Sequence, residues 1–453
     1  MIPGHIADRL PARFVFGAAT AAAQIEGGAA EGGRTSSIWD AFAAVPGKIA
    51  DGSTPTVAVD HYHRWREDVS LLADLGVDAY RLSLSWSRLL PSGRGPLNPS
   101  GVTFYSRLID ALLERDIAPW VTLYHWDMPV EIMIEGGWLD RGSVDAFEEY
   151  VAAACGAFGD RVAAWMTINE PVVHTGYGYA LGIEAPGLTL YGAAFQAAHH
   201  QLLAHGRAAA VLRETGSPVG IVNNHTPVRA ASDRDEDLLA AGMYDVYHNG
   251  QYAQPVLSGG YPDALQMIPG AAWDCVHDGD LAAIAAPLDF YGVNYYQPTT
   301  VAADPANPNL PFAFVEPADG PVTDFGWPID PAALTEFLVG LRAAYPNLPP
   351  VYITENGCAY DDVRDADGRL LADTARIDYL DAHLGAVADA IDAGVDVRGY
   401  FHWSLMDNWE WAEGMTRRFG LVRIDPETLD RTPRASFGHY RDLIAAHRSR
   451  GID

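Results

Sequence analysis

Two glutamates follow short apolar runs at widely separated points of this 453-residue chain. Glu170 lies in residues 167–171 and Glu355 in residues 353–357. Two carboxyls that face one substrate can cleave a glycosidic bond, because one protonates the leaving oxygen while the other meets the developing oxocarbenium charge. Two close carboxyls also separate each other's pKa values, so that one keeps its proton near neutral pH. A pair of capping or salt-bridged glutamates is the alternative interpretation.

Other polar and aromatic side chains occupy similar places in the sequence. Each comes at or shortly after the end of a short apolar run, where a strand that only filled a core would end in Val, Ile or Leu. These residues are Gln24, Arg81, His125, Trp126, Asn169, Asn223, Asn224, Asn294, Tyr295, Tyr296, Asn356, His402 and Trp403. If these residues form one site, the fold must bring the ends of many strands together.

The chain alternates between strand-like runs and helix-like runs that end near glycine. Leu72 and Leu75 lie at helical spacing from Val69, and Gly76 stands where that helix is expected to end. The eight predicted strands cover residues 14–17, 79–83, 119–124, 164–168, 219–223, 290–294, 351–354 and 397–403. Eight such units without a linker predict a single (β/α)8 barrel over residues 1–453, an α/β fold with long βα loops.

A doubly wound open sheet is the main alternative architecture. Its dinucleotide fingerprint needs the pattern G-x-G-x-x-G, and Gly176 and Gly178 begin such a match. Leu181 stands where the third glycine is required, so the match fails. The sequence also lacks the G-x-S-x-G turn of serine hydrolases. The barrel is therefore favoured, and its chemistry is expected at the carboxyl ends of the strands.

Acidic residues outnumber basic ones by 59 to 30, which gives a formal net charge of −29. This charge opposes a nucleic-acid or anionic-membrane partner, because both require a basic face. The hydrophobic fraction of 49 % is that of a globular protein rather than a disordered one. The 12 Trp, 21 Tyr and 15 Phe residues either fill a core or line a cleft for flat, partly apolar ligands such as sugars.

Targeting and disulfide signals are missing from the sequence. Residues 1–10 have no apolar run of the signal-peptide type, and the uncharged stretch at 185–206 is broken by Gln and His. Cys155, Cys275 and Cys358 form no disulfide or zinc pattern. These observations predict a cytoplasmic protein with no membrane partner.

Clustered histidines raise the question of a metal site, and we predict none. No acidic or Cys partner stands at metal-ligand spacing from them. The acidic run at 361–368 has Val363 and Thr374 at the first and last ligand positions of a calcium loop, so it fails that pattern. The histidines concerned are His61, His63, His199, His200 and His205.

The motifs, taken in order, resemble glycoside hydrolase family 1, the β-glucosidase family. They occupy residues 16–27, 37–40, 60–65, 80–83, 122–127, 167–171, 353–357 and 408–411, which span nearly the whole chain. The resemblance implies a (β/α)8 barrel that hydrolyses terminal β-glucosyl residues of a small-molecule β-glycoside and requires no cofactor.

By this resemblance, Glu170 is the general acid/base and Glu355 the nucleophile of a retaining, double-displacement mechanism. Their carboxyls are then expected about 5–5.5 Å apart. Arg81 and Tyr296 match the residues that hydrogen-bond the nucleophile. Asn169 matches the residue that bonds the sugar 2-hydroxyl, a contact that strengthens in the transition state.

The resemblance also implies a set of residues that hold the glycone. A pyranose presents hydroxyls around its edge and C–H groups on its faces, which suits amide, carboxylate and imidazole groups beside indole rings. Relatives that act on 6-phosphoglycosides carry a small residue in place of Glu410, so an unphosphorylated sugar is expected here. The implied set is Gln24, His125, Trp126, Asn294, Trp403, Glu410 and Trp411.

The leaving-group side of the site is less defined by the sequence. Trp327 matches a residue at the cleft entrance, and Val172 stands where many family members carry Trp, which predicts a wider or differently shaped aglycone site. The sequence leaves open glucosyl, galactosyl or fucosyl preference and the oligomeric state. Transglycosylation is an alternative activity. A catalytically silent sugar-binding barrel is another, and the two intact glutamates oppose it.

Overall fold

The fold is built around parallel strands, as the alternating pattern predicts. The computed structural model describes residues 6–307, 309–316, 320–362 and 373–450. Within them, strands β1 to β13 are Val15–Ala19, Ala79–Ser83, Ala118–Tyr124, Ala164–Asn169, Val219–Asn224, Val228–Ala230, Phe290–Asn294, Thr299–Ala303, Phe312–Val315, Val351–Asn356, Val397–Trp403, Val422–Ile424 and Arg431–Pro433.

Eight of these strands form a closed barrel in the order β1-β11-β10-β7-β5-β4-β3-β2. Neighbouring barrel strands are parallel, and β1 closes the barrel by pairing with both β2 and β11. All eight predicted strands are barrel strands, with observed ends within two residues of the predicted ones. The prediction of a (β/α)8 barrel is therefore confirmed.

The connections between barrel strands contain helices and long loops. The α-helices are Ala22–Ile25, Ile38–Ala43, His61–Leu75, Trp86–Leu89, Pro99–Leu113, Val130–Ile134, Gly142–Phe158, Pro171–Val173, Phe195–Leu212, Asp235–Asp245, Gln251–Ser258, Asp280–Ile284, Pro331–Ala344, Thr374–Asp392 and Ala435–Arg448. Short 3₁₀ helices are Gly137–Leu139, Tyr191–Ala194, Arg213–Thr215, Asp263–Met267, Trp273–Cys275 and Trp411–Thr416, and π-helices are His174–Leu181 and Val246–Gly250.

The long helices pack their apolar faces on the outside of the barrel. In His61–Leu75, Leu72 and Leu75 are fully buried. This helix ends where the sequence predicts, because Gly76 adopts a left-handed conformation with φ 76° and its N–H bonds the Leu72 carbonyl. The following β2 then runs through the core toward the opposite end of the barrel.

An aromatic cluster fills the amino-terminal half of the barrel interior. The Trp120 ring lies 5.2 Å from that of Phe290, 5.0 Å from that of Phe401 and 4.8 Å from that of Tyr352, measured between centroids. These rings pack against one another and fill the barrel interior at this end.

Two small sheets lie outside the barrel. Strands β6, β8 and β9 form one, and β12 and β13 form the other. The first places Phe312 and Phe314 of β9 beside the barrel mouth. No helix in the described part of the chain is long and apolar enough to cross a membrane.

Candidate active site

The two predicted carboxyls lie at the carboxyl ends of barrel strands. Glu170 directly follows β4, and Glu355 is the penultimate residue of β10. The pairing register shifts at both places, between Met166 and Asn169 on β4 and next to Glu355 on β10. Such irregularities re-aim side chains at the rim of a barrel. Both glutamates are more than nine-tenths buried and line one cavity.

Both carboxylate oxygens of Glu355 accept hydrogen bonds. The Arg81 guanidinium donates to Oε1, and the Tyr296 hydroxyl donates to Oε2 at 2.7 Å. Burial and the nearby carboxylates raise the pKa of Tyr296 well above its ordinary value, so its phenol keeps the proton that it donates. A cation on one oxygen and a neutral donor on the other hold this carboxylate in a fixed orientation.

Glu170 has a different environment. Among the described residues, the partners of its Oε1 are amides, namely Asn224 Nδ2 at 2.9 Å and Asn294 Nδ2 at 2.8 Å. Burial, and then the charge of Glu355, raises the pKa of Glu170 to about 8. Glu170 therefore holds its proton at neutral pH.

Asn169 connects the surroundings of these two glutamates. Its Oδ1 accepts hydrogen bonds from Arg81 Nη2 at 2.6 Å and from Asn294 Nδ2 at 3.2 Å. Its Nδ2 lies 3.0 Å from His125 Nε2. Burial and the charge of Arg81 lower the pKa of His125 well below its ordinary value, so this imidazole is neutral and accepts from the amide. Arg81 thus holds both Glu355 and Asn169.

A second group of predicted residues forms the wall around Glu410. Gln24 Nε2 donates to Glu410 Oε2 at 3.1 Å and to Asn408 at 3.0 Å, while Gln24 Oε1 is buried without a partner among the described residues. Burial, and then the charge of Glu355, raises the pKa of Glu410 to about 8. Amide and carboxyl together offer acceptors and donors suited to vicinal hydroxyls.

Indole rings flank the polar side chains of Gln24 and Glu410. The His125 ring stacks at a centroid distance of 5.9 Å on both Trp403 and Trp411. Trp126 lies 4.8 Å from Trp411 and donates its Nε1–H to the Asn169 carbonyl at 2.8 Å. The apolar faces of these rings can cover the C–H faces of a sugar.

At the open side, Trp327 stacks on Phe325 at 4.3 Å and meets the Tyr296 ring edge-on at 5.3 Å. Val172 also lines the cavity. The whole cavity has a volume of about 490 Å³. It has room for a glycone and a leaving group together.

Most of the predicted site residues line this cavity, and the others lie behind its wall. Those on the wall are His125, Trp126, Glu170, Tyr296, Trp327, Glu355, Trp403, Glu410 and Trp411. Gln24, Arg81, Asn169 and Asn294 are fully buried and are joined by hydrogen bonds to residues of the wall. The structure thus gathers the whole predicted set at one end of the barrel.

A family model described as glycosyl hydrolase family 1 matches residues 6–449. The chain belongs to glycosyl hydrolase family 1. This membership confirms the resemblance carried by the sequence motifs.

Solved and curated relatives of this family 1 hydrolase agree with that assignment. β-Glucosidase A of Thermotoga maritima is 43 % identical, covering 96 % of this chain and 98 % of the relative. A bifunctional β-D-glucosidase/β-D-fucosidase of Bifidobacterium breve is 44 % identical, covering 97 % and 99 %. A T. maritima family 1 hydrolase, complexed with a cyclophellitol analogue transition-state mimic, is 42 % identical with a TM-score of 0.92, covering 98 % and 99 %.

Other wall residues of this family 1 hydrolase are not among the predicted site residues. Asn224 stands at a predicted strand end, but nothing in the sequence indicates that it bonds Glu170. Residues of the connecting segments carry no periodic pattern that could reveal a shared cavity. They include Tyr177, Glu184, Tyr191, Tyr244, Phe312 and Phe314.

The clustered histidines have separate hydrogen-bond partners in this family 1 hydrolase. His61 Nδ1 lies 2.7 Å from Asp68, and His199 Nε2 lies 3.0 Å from Asp280. The remaining members contact other groups: His63 contacts Asp60 and Glu31, His200 the Trp138 carbonyl and His205 Thr167. Of the acidic run at 361–368, residues 363–368 lie outside the described residues.

Proposed function

We propose that this chain is a retaining β-glucosidase that hydrolyses terminal, non-reducing β-D-glucosyl residues. The observation that carries the proposal is the contrast between two carboxyls in one cavity. Glu355 is held by Arg81 and Tyr296, whereas Glu170 is bonded to the amides of Asn224 and Asn294 and has a pKa raised to about 8. An ionised nucleophile beside a protonated acid is the arrangement that double displacement requires.

In the first step, a Glu355 oxygen attacks the anomeric carbon while the bond to the leaving oxygen breaks. Glu170 transfers its proton to that oxygen, so the leaving group departs as a neutral alcohol and the glucosyl group remains as an ester of Glu355. Asn169 bonds the sugar 2-hydroxyl and stabilises the oxocarbenium-like transition state. Arg81 and Tyr296 position Glu355 for attack.

In the second step, Glu170 is ionised and acts as a base. It takes a proton from a water molecule, the water oxygen attacks the anomeric carbon, and the bond to Glu355 breaks. Glucose leaves with its original anomeric configuration, and both glutamates return to their starting protonation states. The expected carboxyl separation of about 5–5.5 Å leaves no room for a water in the first step.

The glycone is proposed to lie against Gln24, Glu410 and the neighbouring rings of His125, Trp126, Trp403 and Trp411. Asn294 supports Glu170, and Trp327 contacts the leaving group. The substrate is a disaccharide, a short oligosaccharide or an aryl glycoside. The B. breve relative is named for both glucosidase and fucosidase activity, which supports tolerance of β-fucosyl groups here.

Residues 1–453 form one catalytic domain, and no nucleic acid, cofactor or metal takes part. Water is the main acceptor, with transglycosylation at high acceptor concentration. The cytoplasmic location stays a prediction from the sequence.

The proposal is tested with a covalent trap. A 2-deoxy-2-fluoro-β-glucoside with a good leaving group is expected to add one fluoroglucosyl unit to Glu355, seen by peptide mass spectrometry. Glu355→Ala is expected to form no adduct and to lose turnover of p-nitrophenyl β-glucoside by several powers of ten. An adduct on another residue, or full turnover by this variant, would overturn the mechanism.

A further inference from the structure

Glu184 lines the same cavity, yet neither step of the proposed reaction uses it. It follows the π-helix His174–Leu181 and donates its backbone N–H to the Tyr177 carbonyl at 3.2 Å. Its Oε2 is buried and has no hydrogen-bond partner among the described residues. A buried acceptor without a donor is costly, so this oxygen gains when a donor on a ligand reaches it.

The cavity carries an excess of acidic groups. Five carboxyls line it: those of Glu170, Glu184, Glu355, Glu410 and Glu413. Arg81 balances one of them, and Arg417 balances Glu413 at 2.9 Å. None of the described residues that line the cavity is Lys or Arg. The carboxyls of Glu170, Glu184 and Glu410 therefore meet no cationic side chain on this wall.

Histidines do not supply the missing positive charge. The imidazoles on the wall are those of His125, His225 and His248. Burial lowers the pKa of His225 to about 4 and that of His248 to about 3, and burial together with the charge of Arg81 lowers that of His125 well below its ordinary value. All three are neutral at physiological pH.

The carboxyls of this cavity oppose one another's ionisation. Burial, and then the charges of Glu410 and Glu170, raises the pKa of Glu184 well above its ordinary value. A cation inside the cavity would relieve this repulsion, because each carboxylate that ionises beside it gains an attractive partner.

Aromatic rings cover the wall next to Glu184. The Tyr177 carbonyl accepts the backbone N–H of Glu184, and Tyr191 follows Glu184 in the chain. Across the cavity mouth, Phe312 and Phe314 of β9 contact Tyr244, at ring distances of 5.1 and 5.2 Å. Aromatic faces accept aryl groups by stacking and attract ammonium groups through their quadrupoles.

We propose that Glu184 is a specificity-determining residue that favours aromatic leaving groups carrying an alkylammonium group. Glu184 and Glu170 line the same cavity, and the helix Pro171–Val173 and the π-helix His174–Leu181 connect them along the chain, so we place Glu184 beside the group that Glu170 protonates. The substrate class is β-glucosides of arylalkylamines. This inference rests on the proposed function, since it concerns the leaving group of that reaction.

The test compares two substrates of nearly equal shape. One is 4-(aminomethyl)phenyl β-D-glucoside, which is an ammonium at neutral pH, and the other is 4-(hydroxymethyl)phenyl β-D-glucoside. The two phenols differ in acidity, so the quantity compared between variants is the ratio of the two kcat/KM values. Glu184→Gln keeps the shape and removes the carboxyl that ionises beside the ammonium, and it is expected to lower this ratio about tenfold, mainly through a higher KM for the ammonium substrate.

Glu114→Gln is the matched control, because it changes the net charge equally. Glu114 is exposed and follows the helix Pro99–Leu113, at the barrel end opposite the cavity. The Glu114→Gln variant is expected to have the same ratio of kcat/KM values for the two substrates as the wild type. If Glu184→Gln also keeps the wild-type ratio within about twofold, the inference is wrong.

A measurement on the unaltered enzyme tests the inference independently of any variant. Raising NaCl from about 10 mM to about 0.5 M is expected to lower the wild-type ratio, because salt screens the attraction between cavity and ammonium. A ratio that does not change with salt contradicts the inference. If the wild type hydrolyses neither substrate, the proposed β-glucosidase function fails instead.

Discussion

Two glutamates of the same chemical type acquire different roles from their neighbours. Glu355 has a cationic and a phenolic donor, whereas Glu170 has two amides. An amide hydrogen bond stabilises a carboxylate less than a guanidinium does, so the amides only partly offset the burial of Glu170. Asn224 and Asn294 therefore set how strongly Glu170 holds its proton.

Replacing Asn224 should shift the pH profile of the enzyme. The reaction needs protonated Glu170, so kcat/KM is expected to fall as pH rises through about 8. The Asn224 amide lowers this pKa. Asn224→Ala should therefore move the basic limb of the profile to higher pH, by roughly 0.5 to 1 unit.

Asn223 supplies the control for this shift, since it neighbours Asn224 on β5 and bonds Tyr291 at 2.7 Å instead. Asn223→Ala should leave the basic limb in place. A limb that moves equally in both variants would mean that a general loosening of β5, and not the amide bond to Glu170, causes the shift.

Replacing Glu170 itself should make the rate depend on the leaving group. Glu170→Gln cannot donate a proton, so kcat/KM for phenyl β-glucoside is expected to fall by about 10²- to 10⁴-fold. The 2,4-dinitrophenyl glucoside leaves without protonation, and its kcat/KM should fall far less. Steady-state kinetics on the two substrates measure the difference. Equal losses on both would show that Glu170 does not act as the acid.

At the scale of the elements, strand ends that pack closely hold the two glutamates in place. Gly357 directly follows β10, and a Cβ atom on it would lie 1.7 Å from the Trp403 carbonyl oxygen of β11. The backbone can make room for this Cβ atom only if one of the two strands moves. This contact joins the strand of Glu355 to that of Trp403, a wall residue.

Gly357→Ala should therefore displace Glu355 relative to the indole wall. We expect kcat to fall and the free energy of unfolding to drop by about 2–3 kcal/mol, measured by denaturant titration. Gly340→Ala is the matched control, because this glycine is exposed in the helix Pro331–Ala344 with nothing within 4 Å of the added Cβ. It should stabilise by roughly 0.5–1 kcal/mol. Wild-type activity and stability in Gly357→Ala would contradict the packing argument.

The strands and helix ends could be predicted from the sequence because the local order of apolar residues and glycines reflects which residues are buried. A barrel strand is buried on both sides, so its apolar run marks it, and Gly76 marks a helix end through its own backbone preference. Glu170 and Glu355 stand out because each lies at the end of such a run, and the resemblance to the family predicts their catalytic roles. The bond of Asn224 to Glu170 and the position of Glu184 depend on contacts between distant segments, which no periodicity encodes.

At the scale of the whole molecule, the surface charge and the cavity charge have the same sign. The chain has a formal net charge of −29, and its cavity wall holds five carboxyls with no Lys or Arg among its described residues. Field lines from a charged surface focus into clefts with low-dielectric walls. The negative field of the whole molecule therefore opposes the approach of anionic ligands, in addition to the effect of any contact inside the cavity.

A phosphorylated substrate should consequently be hydrolysed poorly. We expect kcat/KM for p-nitrophenyl β-glucoside to exceed that for its 6-phosphate by at least about 10²-fold, since the phosphate would lie near Glu410 and approach against the field. The contribution of the field is separable from that of the contact. Added salt screens the field at long range, so part of the deficit should disappear at about 0.5 M NaCl while the neutral substrate is unaffected. Faster turnover of the 6-phosphate would overturn the assignment of Glu410 and the electrostatic argument together.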